Sequence, residues 1–323
     1  MQNKSVLSMG NAVLALRLII GWTYFSAFWR RLILENKLDP EAAGYIGEKF
    51  NHFLPNALFI KPLIQYLVEH PEVLLYKMWI FTLVEGFVGL FLMIGFKTRL
   101  MSIVVFFLAM GILLGSGWIG TTCLDEWQIG VLGLAGGFTL FQAGSGQFSL
   151  DYFINKNNFI RQEEKWNKTS QSKFTPYFVA FSFFLLFATL YTNQVFHGGV
   201  YGTLHNKSVK PKLEITNLKQ QKNQVSFDVM RVEGADVYGS FLIQIDFINH
   251  QNKTIETLDM NELSKLPKHQ ISNYYVAKVT PHKHSLVLPL GAKANLNFEL
   301  EEQIHKVILT DISGLQWEQT ITN

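Results

Sequence analysis

Long apolar segments in the first 196 residues constrain the fold of this chain more than any other feature. A helix needs about 20 residues to cross roughly 30 Å of hydrocarbon. Five segments come near that length, at about 12–30, 76–96, 99–117, 127–142 and 176–196. Helices are the economical choice, since strands would have to close into a barrel to cross lipid. The segments predict a membrane α-helical protein, with a four-helix bundle and a separate fifth transmembrane helix.

A cleaved signal peptide is an alternative for the first apolar segment. Arg17 interrupts its apolar core, and no A-x-A cleavage site follows it. We therefore expect this segment to remain in the protein as the first transmembrane helix.

The residue pattern changes near residue 197, where phenylalanine-rich segments give way to an ordinary polar sequence. Short runs rich in β-branched and aromatic residues then alternate with turn residues. About seven strands in roughly 120 residues predict an all-β domain, with a β-sandwich as the leading architecture. The predicted domains are a four-helix transmembrane domain at 1–150, a cytoplasmic linker at 151–175, a transmembrane anchor at 176–196 and an external β domain at 197–323.

Basic residues in the short loops predict the orientation in the membrane. Lys4, Lys97, Arg99 and several basic residues of the linker fall on one side, whereas the gap 117–126 contains no lysine or arginine. We expect a multi-pass protein of the inner (plasma) membrane, with a cytoplasmic N-terminus and a periplasmic or external C-terminal domain. The net charge of +3 is too small to indicate nucleic-acid binding.

Glu85 lies near the middle of the second apolar segment, with no other charged residue from Met78 to Phe96. A carboxylate at that depth costs at least ~3 kcal/mol on insertion scales, so it should face the bundle interior and be protonated or paired. A functional Glu85 would handle protons or hold a polar ligand. A neutral Glu85 that only bonds a neighbouring helix is the alternative.

Arginines mark both ends of the first segment. Arg30 and Arg31 end it on the predicted external side, where arginine is disfavoured, and their guanidinium groups suit bidentate binding of oxyanions. Extension of these side chains toward the membrane interface explains them equally well. The same extension is the favoured interpretation of Arg17 and Arg99 near the cytoplasmic side.

The only cysteine, Cys123, lies in the peptide GWIGTTCLDEWQIG at 117–130 beside Asp125 and Glu126. A lone cysteine excludes an intramolecular disulfide and a cysteine-based metal cluster. A nearby arginine would favour its nucleophilic thiolate, and the two acids could accept protons or hold the arginines in place. Trp118 and Trp127 frame the peptide and are candidates for substrate contact. The alternative is a capped start of the fourth helix, with the acids at its N-terminus.

Aromatic residues near the same predicted face suggest a site for a flat ligand such as a quinone. The candidates are His52, Trp22, Tyr24 and Trp29, although interfacial and core packing explain these residues at least as well. The sequence contains no Walker loop, dinucleotide fingerprint, haem-attachment motif or H-E-x-x-H motif. We predict no metal, haem or flavin, so any redox cofactor must be diffusible or lipid-borne.

The quoted motifs resemble a known family. The first 150 positions are similar to DoxX-type four-helix membrane domains, in which EGFVGLFLMIGFKTR at 85–99 carries the glutamate, the glycines and a terminal T-R pair. The peptide at 117–130 and FNHFLPNA at 50–57 resemble DoxD, a subunit of thiosulfate:quinone oxidoreductase. The segment from about 175 onward, with MRVEGADVYGSFLIQI at 230–245, resembles its partner DoxA. The chain would then be a fusion of DoxD and DoxA.

The resemblance implies oxidation of thiosulfate to tetrathionate, with electrons passed to a membrane quinone of the ubiquinone or menaquinone type. Cys123 would transfer sulfur, Arg30 and Arg31 would bind the oxyanions, and Glu85, Asp125 or Glu126 would move protons. The expected partners are thiosulfate, the quinone and the lipid bilayer, and the sequence leaves a homodimer open. A sulfur-anion transporter and a non-catalytic membrane scaffold are the competing functions.

Overall fold

The computed structural model of the chain describes residues 2–42, 44–120, 125–236 and 239–321. These residues form two compact units. The helical unit contains the residues up to 46, together with 75–117 and 125–205. The β unit contains 47–74, 118–120 and the residues from 206 onward, so it takes in two stretches from the N-terminal half of the chain.

The helices include every segment that the apolar pattern predicted. They are α1 (Gln2–Ala12), α2 (Leu14–Phe28), α3 (Gly47–Phe53), α4 (Lys61–Glu69), α5 (Pro71–Ile94), α6 (Thr98–Ser116), α7 (Asp125–Ala143), α8 (Leu150–Ile154), α9 (Lys156–Thr169), α10 (Thr175–His197) and α11 (Met260–Leu263). The π-helical segments Trp29–Leu34 and Ser170–Phe174 follow α2 and α9, and a 3-10 turn covers Lys268–Gln270.

Four helices of the helical unit share one apolar core, which confirms the predicted four-helix arrangement. The core consists of Tyr24 from α2, Val88 and Leu92 from α5, Val105 from α6 and Leu140 from α7. Helix α10 packs outside this core, where the ring centre of Phe181 lies 4.9 Å from that of Phe138 of α7. The fifth predicted helix is therefore peripheral, as the sequence suggested.

Three of the described helical stretches are long and apolar enough to cross a membrane. They are Pro71–Ile94, Thr98–Ser116 and Lys156–His197, the last of which is 42 residues long. Within this stretch the polar helix α9 continues through a π-helical segment into α10, and a cytoplasmic linker at 151–175 stays a prediction. Several apolar helices fit a membrane protein, whereas five crossings remain a prediction, since α2 has only 15 residues before its π-helical extension.

Glycines of α7 allow its close contact with α6. A Cβ placed on Gly133 would lie 2.7 Å from the Cβ of Ala109, and one on Gly137 would lie 3.1 Å from the carbonyl oxygen of Ser102. Such contacts exclude larger side chains, as in other membrane helix pairs. Gly111 of α6 differs, because a Cβ there would have no described atom within 4 Å.

Replacing Gly133 by leucine is expected to destabilise the helical unit by about 1–3 kcal/mol, the usual cost of overfilling a packed interior. The free energy of unfolding in detergent measures this effect. Gly111→Leu is the matched control and should change it little, since that position faces open space. Equal losses in the two variants would contradict the helix contact described above.

The β unit consists of two antiparallel sheets, which confirms the all-β prediction. Its strands are β1 (Lys212–Gln221), β2 (Gln224–Glu233), β3 (Ser240–Ile248), β4 (Thr254–Leu258), β5 (Ile271–Asn273), β6 (Thr280–His282), β7 (Ser285–Leu288), β8 (Lys293–Glu299), β9 (Lys306–Asp311) and β10 (Gln316–Thr320). One sheet has the order β1-β2-β8-β5, and the other has the order β10-β9-β3-β7-β6 with β4 beside β3.

Facing side chains of the two sheets form a single core. Phe227 and Phe298 from one sheet and Phe247 from the other are among its buried members. Alternation of buried and outward residues along β8 produces this arrangement, as expected for half-buried strands. The sequence predicted about seven strands, and the described residues contain ten, because strands of three residues such as β5 and β6 are too short to show a period.

The short helices α3 and α4 pack within the β unit. A buried apolar cluster consists of Leu54, Ala57, Ile64 and Val68. Met230 of β2 packs against this cluster. The apolar face of α4 covers part of the β unit.

Candidate functional site

A buried ion pair between Arg31 and Glu85 is the central feature of the helical unit. Nη1 of Arg31 donates to Oε2 of Glu85 at 2.6 Å and to the hydroxyl of Thr82 at 3.0 Å. The Glu85 side chain is 6 % exposed and that of Arg31 is 14 % exposed. Glu85 was expected to face the bundle interior and to be either protonated or paired, and the structure shows it buried and paired.

Helix geometry explains why these groups meet. Thr82 and Glu85 are three residues apart on α5 and therefore share a face. Arg31 lies in the π-helical segment after α2, seven residues beyond the buried Tyr24 and thus close to the same helix face. Its guanidinium also lies 5.7 Å from the centre of the Phe81 ring. Segments of π-helix often occur at functional positions, because the wider turn re-aims side chains.

Arg31 retains hydrogen-bonding capacity beyond the pair. Its Nε and Nη2 donate to no side chain or carbonyl of the described residues, and the side chain is only partly covered. Polar donors held in apolar surroundings suit a carbonyl oxygen of a quinone or an oxyanion. The donor set therefore fits the polar end of a membrane quinone.

The other candidates of the first helix point in different directions. Arg30 is exposed, and its Nε donates to the carbonyl of Ser26 at 3.3 Å. Trp22 and Trp29 are 57 % and 41 % exposed and lie on either side of Phe25, at ring distances of 6.0 and 5.9 Å. Tyr24 instead belongs to the bundle core. The two tryptophans and Tyr24 therefore lie on separate faces of the helix.

The tryptophans that frame the cysteine peptide make structural hydrogen bonds. Trp118 is fully buried in the β unit, and its indole donates to the carbonyl of Phe53 at 3.4 Å. Trp127 belongs to α7 and donates to the hydroxyl of Thr192 at 3.0 Å. Cys123 lies outside the described residues, as does the side chain of Asp125. Glu126, the second residue of α7, is half-buried and has an interaction partner.

His52 belongs to a charged cluster in the β unit. Lys49 of the same helix forms an ion pair with Asp236 at 2.8 Å, and Nδ1 of His52 lies 4.0 Å from that carboxylate. This Nδ1 is buried and has no hydrogen-bond partner in the described structure. Arg231 is almost fully buried nearby and donates to the carbonyl of Ala235 at 2.7 Å, which holds the turn that carries Asp236.

The cluster makes the stability of the protein depend on pH. Burial, with the charge of Lys49, lowers the pKa of His52 from 6.5 to about 4. As the pH falls, the unfolded chain therefore takes up this proton near pH 6.5, whereas the folded chain takes it up only near pH 4. His52 should lower the free energy of unfolding by up to about 3 kcal/mol as the pH falls from 7 to 4. Thermal unfolding of a His52→Gln variant should lose this part of the pH dependence, and an unchanged profile would contradict it.

Sequence reasoning missed several buried polar residues. Asn51 is fully buried, donates to the carbonyl of Gly291 at 3.2 Å and accepts from the amide of Ala277 at 3.0 Å. The polar pair Asn51-His52 within an apolar motif was the available signal, but only His52 was predicted to be a site residue. Lys49, Arg231 and Asp236 were not identified as site residues.

Two arginines expected to extend toward the membrane interface are held inside the helical unit. Arg17 is 1 % exposed and bonds the carbonyls of Ser145 and, at 2.6 Å, Phe148. Arg99 forms a two-pronged ion pair with Glu163, and its guanidinium lies 4.7 Å from the centre of the Trp166 ring. The expectation was wrong because the polar segment after α7 folds back and supplies acceptors.

Models of two known protein families match this chain. The family model described as TQO small subunit DoxD matches residues 13–181, more than half of the chain. The chain belongs to the DoxD family. The model described as TQO small subunit DoxA matches residues 196–320, so the chain is a fusion of DoxD and DoxA. No solved structure matches this chain.

The two family matches support a role like that of thiosulfate:quinone oxidoreductase. The DoxD match contains the Arg31–Glu85 pair, and it also contains Lys49 and His52. The DoxA match contains Arg231 and Asp236. The charged cluster of the β unit is thus assembled from both matched regions.

Proposed function

We propose that this protein oxidises thiosulfate to tetrathionate and passes the electrons to a membrane quinone. The observation that carries the proposal is the presence of both TQO subunit matches on one chain. The buried Arg31–Glu85 pair supports the proposal, because it places hydrogen-bond donors for a quinone carbonyl and a carboxylate for proton transfer inside an apolar helical unit.

The proposed sulfur chemistry uses the thiolate of Cys123. This thiolate and one thiosulfate lose two electrons together and form Cys-S-S-SO3⁻. A second thiosulfate attacks the sulfur that bears the sulfonate, which releases tetrathionate and restores the thiolate. The two electrons and two protons convert the quinone to the quinol. Sulfur oxidation itself releases no protons, so the protons must reach the quinone through the protein or from water.

The described residues suggest how the two reactants are held. Arg31 would direct its free donors toward a quinone carbonyl, while Glu85 would deliver protons there. Arg30, which is exposed, would neutralise an approaching sulfur dianion, and the exposed Trp22 and Trp29 would contact the quinone ring. Asp125 and Glu126 would accept or deliver protons beside Cys123. Loss of thiosulfate affinity in Arg30→Gln, with folding intact, is the corresponding expectation.

We propose that the β unit faces the periplasm or exterior and that the N-terminus is cytoplasmic. The distribution of basic residues supports this orientation in the inner membrane. Residues 118–120 belong to the β unit, in agreement with a common side for the cysteine peptide and the C-terminal domain. Labelling of single introduced cysteines in intact cells, with Cys123 replaced, tests the orientation from both sides.

The decisive experiment mixes purified protein in detergent with thiosulfate and a soluble quinone. Loss of quinone absorbance with matching formation of tetrathionate is the expected result. Uptake of thiosulfate into sealed vesicles without quinone reduction would favour a transporter instead. Absence of both activities from a folded protein would favour a scaffold that binds partners through its β unit.

A further inference from the structure

The outward face of the four-stranded sheet carries an ordered set of polar side chains. Strand register places Ser226 between Lys219 and Asn297, and it places Asn295 between Asp228 and Ser272. Two cavities of about 470 and 440 Å³ lie over these rows and share Lys219, Asn295 and Tyr274 among their lining residues. Among the described residues that line the larger cavity, none is Ala, Val, Leu, Ile or Met.

A buried carboxylate organises the floor of this face. Asp228 is 3 % exposed and accepts hydrogen bonds from Asn217 at 2.8 Å, Asn295 at 2.9 Å and the hydroxyl of Tyr274 at 3.0 Å. Burial alone would raise its pKa, but these three bonds hold the pKa of Asp228 below its usual range. The ionised group therefore fixes three side chains before any ligand arrives.

The backbone at the edge of this face is also specialised. Asn217 has a φ of 54°, a left-handed conformation that residues with a side chain seldom adopt. It lies at a register irregularity between Thr216 and Lys219, where β1 departs from regular pairing with β2. Bulges of this kind re-aim side chains, and here the amide of Asn217 reaches Asp228.

Several polar groups on the face remain available. The side chains of Ser226, Ser272 and Asn297 make no hydrogen bond to any other residue that the structure describes, although Ser226 and Asn297 are half-buried. Lys293 lies 3.7 Å from Asp228, so their charges offset each other. Lys219, in the walls of both cavities, is the one cation of these walls without a described ion pair. The other free groups are amides and hydroxyls, which suit a ligand that carries many neutral hydroxyl groups.

We propose that this face binds a neutral oligosaccharide. The rows of amides and hydroxyls would bond sugar hydroxyls, and the ring of Tyr274, which is 47 % exposed, would contact the apolar side of a sugar ring. Neighbouring strands are about 4.8 Å apart, so the four strands that carry these rows offer polar groups over more than one sugar unit. The inference does not depend on the redox proposal, and an external β unit would meet cell-envelope polysaccharide.

The test measures binding of maltohexaose, cellohexaose and chitohexaose to the full-length protein by calorimetry. The detergent must be a polyoxyethylene ether, since a maltoside headgroup would compete. We expect saturable binding of at least one of these probes. Asn297→Ala should weaken it about three- to tenfold, the usual effect of one neutral hydrogen bond, and Tyr274→Ala should weaken it at least about tenfold.

Gln316→Ala is the matched control, because Gln316 is an exposed polar residue on β10 of the other sheet. It should leave binding unchanged, and unfolding curves should show all variants folded. Ser226→Ala provides a second, milder change on the face and should also weaken binding. No saturable binding of any probe, equal binding by the face variants and the wild type, or displacement of the sugar by equimolar thiosulfate would overturn the proposal.

Discussion

Replacing Arg31 by methionine is expected to destabilise the helical unit by about 3–5 kcal/mol, because the change leaves the carboxylate of Glu85 buried without its partner. Arg31 supplies the only described ion pair of Glu85, and it also bonds Thr82. The free energy of unfolding in mixed detergent micelles measures the loss. Quinone reduction by thiosulfate should also fall in this variant.

Arg30→Met is the matched control for this experiment. Arg30 is the adjacent residue and carries the same charge, but it is exposed and bonds only the carbonyl of Ser26 among described residues. Its replacement should cost less than about 1 kcal/mol. The double variant Arg31→Met with Glu85→Gln should recover much of the lost stability, since no unpaired charge remains. A double variant as unstable as Arg31→Met alone would show that the ion pair is not the cause.

Cys123→Ser should lower thiosulfate-dependent quinone reduction by at least about 10³-fold, because loss of a covalent nucleophile removes a whole reaction path. Serine keeps the size of the side chain and removes the thiolate. The assay follows quinone absorbance and tetrathionate together, and mass spectrometry of the wild type should reveal a thiosulfate adduct on Cys123 when the second thiosulfate is limiting.

The control for the cysteine variant is its unfolding curve, which should match that of the wild type. Thiosulfate binding should persist, since the proposed anion contact, Arg30, is intact. Parental turnover in Cys123→Ser would rule out covalent sulfur transfer and leave direct electron transfer between bound thiosulfate and quinone. Loss of both turnover and folding would call for Cys123→Ala, whose smaller side chain tests the thiol separately.

The helical fold was largely predictable, because long apolar segments allow few alternatives. The pairing of Glu85 followed from the cost of a carboxylate in lipid, but the identity of its partner did not. Arg31 lies far from Glu85 in the sequence, and its direction depends on the π-helical segment Trp29–Leu34. Hydrophobic periodicity does not reveal such a local widening of the helix.

The surroundings of His52 could not be predicted from the sequence. The apolar face of α4 indicates that this helix covers something, yet periodicity does not identify the covered surface. In the structure the stretch 47–74 belongs to the β unit, where His52 lies beside Lys49 and Asp236. Arg17 shows the same limit, because its acceptors are backbone carbonyls of a distant loop.

The packing of residues 47–74 within the β unit means that the boundary between the two family matches is not a boundary between folded bodies. Leu54, Ile64 and Val68 come from the DoxD match, whereas Met230, which they contact, comes from the DoxA match. Wherever the two sequences are encoded by separate genes, this apolar cluster would become an interface between subunits. A recombinant fragment that starts at residue 197 would expose it to water and would be a poor substitute for the whole chain.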